Sequence, residues 1–293
     1  MKILSATDFL PKSDAAMDRA GFLADALAGE LTLLYAVSPD AADGQTLEQR
    51  VRRADSRLTS RTSPPKWRWG SQPQVAVQCG HPARVVLDNA YRSRAALVVL
   101  GPHRDNALAD AVNGTITEKV LGAAAFPVLI AQQQVHGAYG RVLVALDGTP
   151  AGGGIVRAIE SLGLTRDSEV IAVHAHEPPY VSMMNIVGAG MEAAASYAEA
   201  SRVQASAEIR AQLDEHSNDA AAYRVVVVEH RPASAILEAV ESFRPDLVVL
   251  GTRGHGRFRR ALLGSVASEV MGAVQCDVLL VPERAFQDSL AAA

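Results

Sequence analysis

The 293-residue chain has only two cysteines, Cys79 and Cys276. Both adjoin or lie within apolar runs, so reduced, buried thiols are expected and a disulfide framework is excluded. A basic surplus is also lacking: the formal net charge is −4, which argues against general nucleic-acid binding. No apolar run approaches the roughly 18 residues that a membrane span needs. The opening MKILSATD acquires charge too soon for a signal peptide, so a cytoplasmic protein is expected. The phosphate-loop pattern GxxxxGK[ST] does not occur, and neither a Cys–His nor a Ser–His pair sits in a recognisable nucleophile setting.

What the chain does have is itself, twice. LVVLGPHR from Leu97 matches LVVLGTRG from Leu247, PVLIA from Pro127 matches DVLLV from Asp277, and AVQCGHPARVVLDNA from Ala76 matches VVVEHRPASAILEAV from Val226, all at an offset of 150. KILSATD from Lys2 matches RVLVALD from Arg141 at an offset of 139, which LTLLYAVSP from Leu31 keeps with VIAVHAHEP from Val170. The second repeat therefore carries an 11-residue net insertion between its second and third strands, for which Ser182–Glu199 has room. Gln132–Gly137 reads as a linker, giving domains 1–134 and 138–286.

Each repeat alternates strand-length apolar runs with helical stretches, and Pro82 and Pro232 suit first helical turns. ALVVLG and DLVVLG are almost unbroken apolar runs, as expected of strands covered on both faces. The fold class that follows is α/β: two tandem, doubly wound, Rossmann-like domains, each with a five-stranded parallel sheet. Ligands of such sheets sit beyond the carboxyl ends of the strands.

After its fourth strand the second repeat reads GTRGHGRFRRALLGS, Gly251–Ser265. Glycines let backbone amides reach an anion, and a helix starting at Gly264–Ser265 adds unpaired N–H groups and a favourable dipole. Arg253, Arg257, Arg259 and Arg260 make the loop basic within an acidic chain. His174 and His176 end one strand and His230 ends the next. With Asp147 they form a set that can bind zinc, the competing reading being that they line a nucleoside pocket. Trp67 and Trp69 in PPKWRWG are a partner-binding patch or pack under a long connection.

Gly251, Gly254, a nine-residue spacing, then Gly264–Ser265 resembles the ATP-binding pattern of the universal stress protein (UspA) family, and the resemblance covers nearly the whole chain, twice. It implies an adenine-nucleotide fold with strand order 3-2-1-4-5, and ATP, with Mg2+ as a companion, as the ligand. It further implies that Asp147 accepts hydrogen bonds from ribose or adenine, that the Ala175 backbone faces adenine, and that Gly251, Gly254, Gly264 and Ser265 serve the phosphates; the pattern does not fix the loop arginines, of which Arg253 is a candidate phosphate contact by its charge. The first repeat departs from the pattern: it keeps Asp8, Gly101 and Gly114–Thr115, but Arg104 replaces the second glycine and the loop carries Asp105 and Asp110. Weak or absent nucleotide binding is expected there. Three functions stay open: a nucleotide-binding stress or regulatory protein, a slow ATPase, and an interaction module without nucleotide. The resemblance also implies pairing of last strands, VLIA against VLLV within the chain, with a homodimer or an unidentified protein partner as further contacts.

Overall fold

A computed structural model describes residues 1–39, 44–64, 66–70, 72–102, 116–177, 191–252 and 263–283. These fall into two compact units. The first holds Met1–Gly137 together with the segment from Gln275 onward, and the second holds the described parts of Ala138–His255 and Gly264–Val274.

In the first unit β1 (Lys2–Thr7), β2 (Glu30–Val37), β3 (Gln74–Cys79), β4 (Leu97–Leu100) and β5 (Val128–Ile130) pair in parallel in the order β3-β2-β1-β4-β5. The strand β10 (Asp277–Val281) is added antiparallel to β5, with Leu279 opposite Leu129. The second unit has β6 (Arg141–Ala145), β7 (Glu169–Ala175), β8 (Tyr223–Val228) and β9 (Leu247–Gly251) in the order β9-β6-β7-β8, all parallel. The expected strand order 3-2-1-4-5 thus appears in the first unit and its first four positions in the second, and the expected pairing of last strands is seen as β10 against β5. Ile3, Leu4 and Ser5 on β1, like Val142, Leu143 and Val144 on β6, are buried at successive positions, so both faces of these strands are covered.

Helices supply the cover. α1 (Pro11–Ala26) packs on β1, β4 and β2; α2 (Leu47–Thr62) packs on β3 and β2; α3 (Pro82–Ser93) packs on β2 and on α4 (Ile116–Ala123). In the second unit α5 (Pro150–Ser161) packs on β9 and on α6 (Met191–His216), α7 (Pro232–Phe243) lies on β7, and α8 (Ser265–Ala273) lies on α7. Four of these helices start on a proline whose missing N–H would have been unpaired anyway. α2 starts instead with a capping box between Thr46 and Gln49. The insertion is largely helical: α6 has 26 residues where α2 has 16.

Three surface expectations are settled by packing. Trp69 donates from Nε1 to Asp18 and meets Phe22 edge-on, while Arg68 pairs with Asp18 and lies over the Trp69 ring. The tryptophan segment is therefore docked on α1. The linker is tied down as well, for the Gln132 and Gln133 amides donate to Asp277. Cys276 is buried but Cys79 is exposed, correcting the expectation for that thiol. Cys79 is the last residue of β3, which has no strand neighbour on one side among the described residues.

One polar knot braces the second unit. Glu160 on α5 accepts hydrogen bonds from Ser217, the Asn218 amide and the Tyr223 hydroxyl, which joins the end of α6 and the start of β8 to α5. Tyr223 is 2% exposed. Burial first, then the neighbouring Glu160 carboxylate, pushes its phenol above the ordinary range. Above about pH 10 the unfolded chain releases a phenolic proton that the folded chain keeps, so stability falls as pH rises. Tyr223→Phe is expected to flatten that alkaline decline while costing about 1 kcal/mol at neutral pH. Urea midpoints between pH 8 and pH 11 check both.

Candidate functional site

In the second unit the strand ends bring the predicted residues toward one edge. The chain leaves β6 through Leu146, whose N–H donates to the Val173 carbonyl and whose carbonyl accepts from His174 Nδ1 at 2.8 Å. A carbonyl only accepts, so His174 carries its hydrogen on Nδ1. Asp147 follows, exposed, and its Oδ1 accepts from the Thr149 backbone N–H at 3.1 Å and the Thr149 hydroxyl at 2.6 Å. Gly148 between them has φ +72°, a left-handed turn that costs a glycine little. Ala175 ends β7, half-buried, and the next residue, His176, donates its N–H to the Val228 carbonyl.

The fourth strand delivers the helix. Gly251 ends β9, and the buried Thr252 accepts from the Gly264 N–H through its carbonyl at 2.9 Å. This bond seats the start of α8 beside the strand end. Gly264 is the N-cap, has extended backbone and brings no capping side chain, and Ser265, exposed, is the first helical residue. The first-turn amides of α8 thus have no side-chain acceptor from the N-cap, and the dipole favours an anion at that end. Arg253 and Gly254 lie outside the described residues, as do Arg257, Arg259 and Arg260.

The histidines do not assemble as a metal set. His174 and His176 have ring centroids 6.3 Å apart, but His174 is bonded to Leu146 and His176 Nε2 lies 2.8 Å from the Ser201 hydroxyl on α6. His230 is turned to Glu238 at 3.5 Å. Among the described residues no group of three or more His, Cys, Asp or Glu side chains is placed to hold a metal ion. The zinc reading is therefore corrected: each ring is taken by a neighbour from a different element. Ser201 went unnoticed in the sequence because it lies on the long inserted helix, which has no counterpart motif.

The first unit answers differently at the matching positions. Asp8 Oδ1 accepts from the Leu10 N–H, as Asp147 does from Thr149. Between them, where the second repeat has Gly148, stands Phe9, with φ 64°. Its ring is 6% exposed and stacks on Tyr35, the counterpart of His174, at a centroid distance of 4.4 Å. The Arg57 guanidinium lies 4.4 Å from the Phe9 ring centroid and that of Arg61 lies at 5.6 Å. Next to β4, a side chain at Gly101 would meet the backbone of Lys12 and Ser13 within 3.1–3.2 Å. Arg104, on which the expectation of weak nucleotide binding rests, lies outside the described residues, as do Asp105, Asp110 and Gly114–Thr115. A phenylalanine where the other repeat has glycine is a further difference between the repeats, visible in the sequence and not used there.

Comparison with known proteins agrees with this architecture. The Universal stress protein family model matches residues 1–132 and again 138–282. Universal stress protein Rv2005c of Mycobacterium tuberculosis is 30% identical over 203 residues, 68% of this chain. The match spans 64% of that relative, a little under two thirds of its length. A universal stress protein in the QAH/OAS sulfhydrylase 3' region of Thermus aquaticus is 43% identical over 56 residues, 19% of this chain and 41% of that one. Among solved structures, a universal stress protein from Archaeoglobus fulgidus superimposes with TM-score 0.65 at 17% identity, covering 96% of each chain. A functionally unknown protein, PA1789, from Pseudomonas aeruginosa gives 0.61 at 18%, covering 99% of this chain and 96% of that one. At these identities the two structures speak for the fold.

The Phe9 stack is also a piece of core. Phe9→Ala is expected to cost about 3 kcal/mol, within the range for emptying a buried aromatic position. Arg57→Ala, which removes only the partly exposed cover, is expected to cost about 1 kcal/mol. Urea denaturation followed by circular dichroism measures both.

Proposed function

The chain belongs to the universal stress protein family, and from that premise we propose that its second repeat binds ATP, or a closely related adenine nucleotide, in a stress-response or regulatory role. The observation that carries this reading is the seating of α8: Gly264 is hydrogen-bonded to Thr252 at the end of β9, and its first-turn amides face no capping side chain. A polyphosphate suits that position, because backbone N–H groups and the helix dipole both favour an oxyanion. Arg253 and the Gly251–Gly254 spacing supply charge and close approach, and Ser265 adds a hydroxyl donor. On the nucleoside side Asp147 is the acceptor for ribose or adenine, and Ala175, a small apolar residue, turns its backbone toward adenine. Where Mg2+ accompanies the nucleotide it binds the phosphates; the described side chains include no acidic cluster to hold it alone. The first repeat is read as a closed site, because Phe9 stacks on Tyr35 at the positions where the second repeat has Gly148 and His174. No base for activating water is evident, so binding rather than turnover is the reading.

The test is isothermal titration calorimetry with ATP on the full chain. Asp147→Ala and Gly254→Glu are each expected to abolish measurable affinity, and Arg104→Gly to change it little. Gly148→Phe, which copies the first repeat's residue into the second, is expected to abolish it as well. Full affinity in Gly254→Glu and Gly148→Phe together would overturn the assignment, and nucleotide extracted from the purified protein identifies the ligand.

A further inference from the structure

β5 and β10 meet in a register that the repeat itself dictates. Leu129 faces Leu279, Val128 faces Leu280 and Ile130 faces Val278. Since the repeats are offset by 150 here, Leu129 and Leu279 are equivalent residues, as are Val128 with Val278 and Ile130 with Leu280. The contact is thus centred on a pair of counterparts, and the paired residues are all of one apolar kind. Nothing in VLI or VLL tells β5 to prefer β10 over the β5 of a second copy, or β10 to prefer another β10. A chain made of two similar halves needs some other group to decide this.

The deciding groups lie at the end of β10. Asp277 is fully buried, and its Oδ2 lies 3.3 Å from Nε of Arg19, itself 4% exposed on α1. Its Oδ1 accepts from the backbone N–H groups of Gln132 at 2.7 Å and Gln133 at 3.0 Å. Arg19 also donates from Nη1 to the Gly137 carbonyl at 2.9 Å. Three of these roles are absent from the other repeat, while Glu283, the counterpart of Gln133, keeps an N–H but adds a carboxylate. The counterpart of Asp277 is Pro127, with no carboxylate; that of Arg19 is Ala158, with no charge; that of Gln132 is Pro282, with no N–H to donate.

We propose that Arg19 and Asp277 form a selectivity lock that directs the last strand onto β5 of the first repeat and rejects pairing of like strands between copies. Two β10 strands facing each other would set each Asp277 carboxylate against Ala158, the Pro282 nitrogen and the acidic Glu283, without a guanidinium. Two β5 strands facing each other would bury two guanidiniums against proline. An unpaired buried charge is strongly destabilising, whereas the unlike pairing satisfies both. The apolar strands supply the adhesion, and the ion pair supplies the choice.

The test uses the full chain carrying Cys79→Ser, Cys276→Ala and Leu129→Cys, refolded from urea at high protein concentration and then oxidised. Like-strand pairing sets two copies of position 129 face to face, so it traps a disulfide-linked dimer on a non-reducing gel. Unlike pairing sets position 129 against Leu279 and traps none. The chain with Arg19 and Asp277 intact is expected to remain monomeric on the gel. Adding Arg19→Ala and Asp277→Pro, which copies the other repeat's residues, is expected to raise the linked dimer several-fold. Equal dimer in both backgrounds, present or absent, overturns the proposal. A second measurement does not depend on the proline substitution. Arg19→Ala and Asp277→Ala alone are each expected to lower the urea midpoint by roughly 1 M. The double variant is expected to lose less than the sum, and strictly additive losses would also overturn the proposal.

Discussion

Because β6 pairs in parallel with both β7 and β9, the residues that follow these three strands are delivered to the same edge of one sheet. Asp147, His176 and Thr252 come from positions far apart in sequence, yet no loop has to reach for another. The geometry costs the protein very little that is special to the site. It follows from covering a parallel sheet on both faces with helices, which forces each crossover to begin and end on fixed sides. What is special is confined to a few choices at the strand ends: a glycine that turns with positive φ after Asp147, and a glycine cap that leaves α8 without its own acceptor.

Much of this was legible because duplication provides an internal control. A single GxxG followed by GS is a weak sign, but two copies of the same strand pattern fix where the loop lies, and the proline starts of α3 and α7 show the same spacing. The repeat even keeps its irregularities. Arg94 and Arg244, equivalent residues, both close their helices in the left-handed conformation usually left to glycine. The pieces that escaped were those where side chains from unlike elements meet. His176 finds Ser201 on a helix that the first repeat has only in shorter form. Phe9 finds Tyr35 and Arg57 across three elements. Periodicity reports which face of an element is apolar, not which neighbour will lie against it.

The charged residues were the least readable part. Asp277 opens the run DVLLV and was read with its counterpart PVLIA as a strand of the same kind. That reading is right for the backbone and silent on the carboxylate. Burial of an aspartate among such residues is tolerated only with donors on every side. The Gln132 and Gln133 amides, in a stretch that composition marks as a linker, supply two of them. A segment that looks like a spacer therefore takes part in the packing, as buried Val135 and Tyr139 on either side of Gly137 also indicate.

The Phe9–Tyr35 stack has an arithmetic consequence. On the proposed reading, in which Phe9 and Tyr35 close the first repeat's crevice, the chain offers a nucleotide a single berth. That reading implies a hyperbolic isotherm with a stoichiometry of one, and no coupling of occupancy between the two halves. On the same reading, any steepness in the response to ligand concentration arises between chains and not within one.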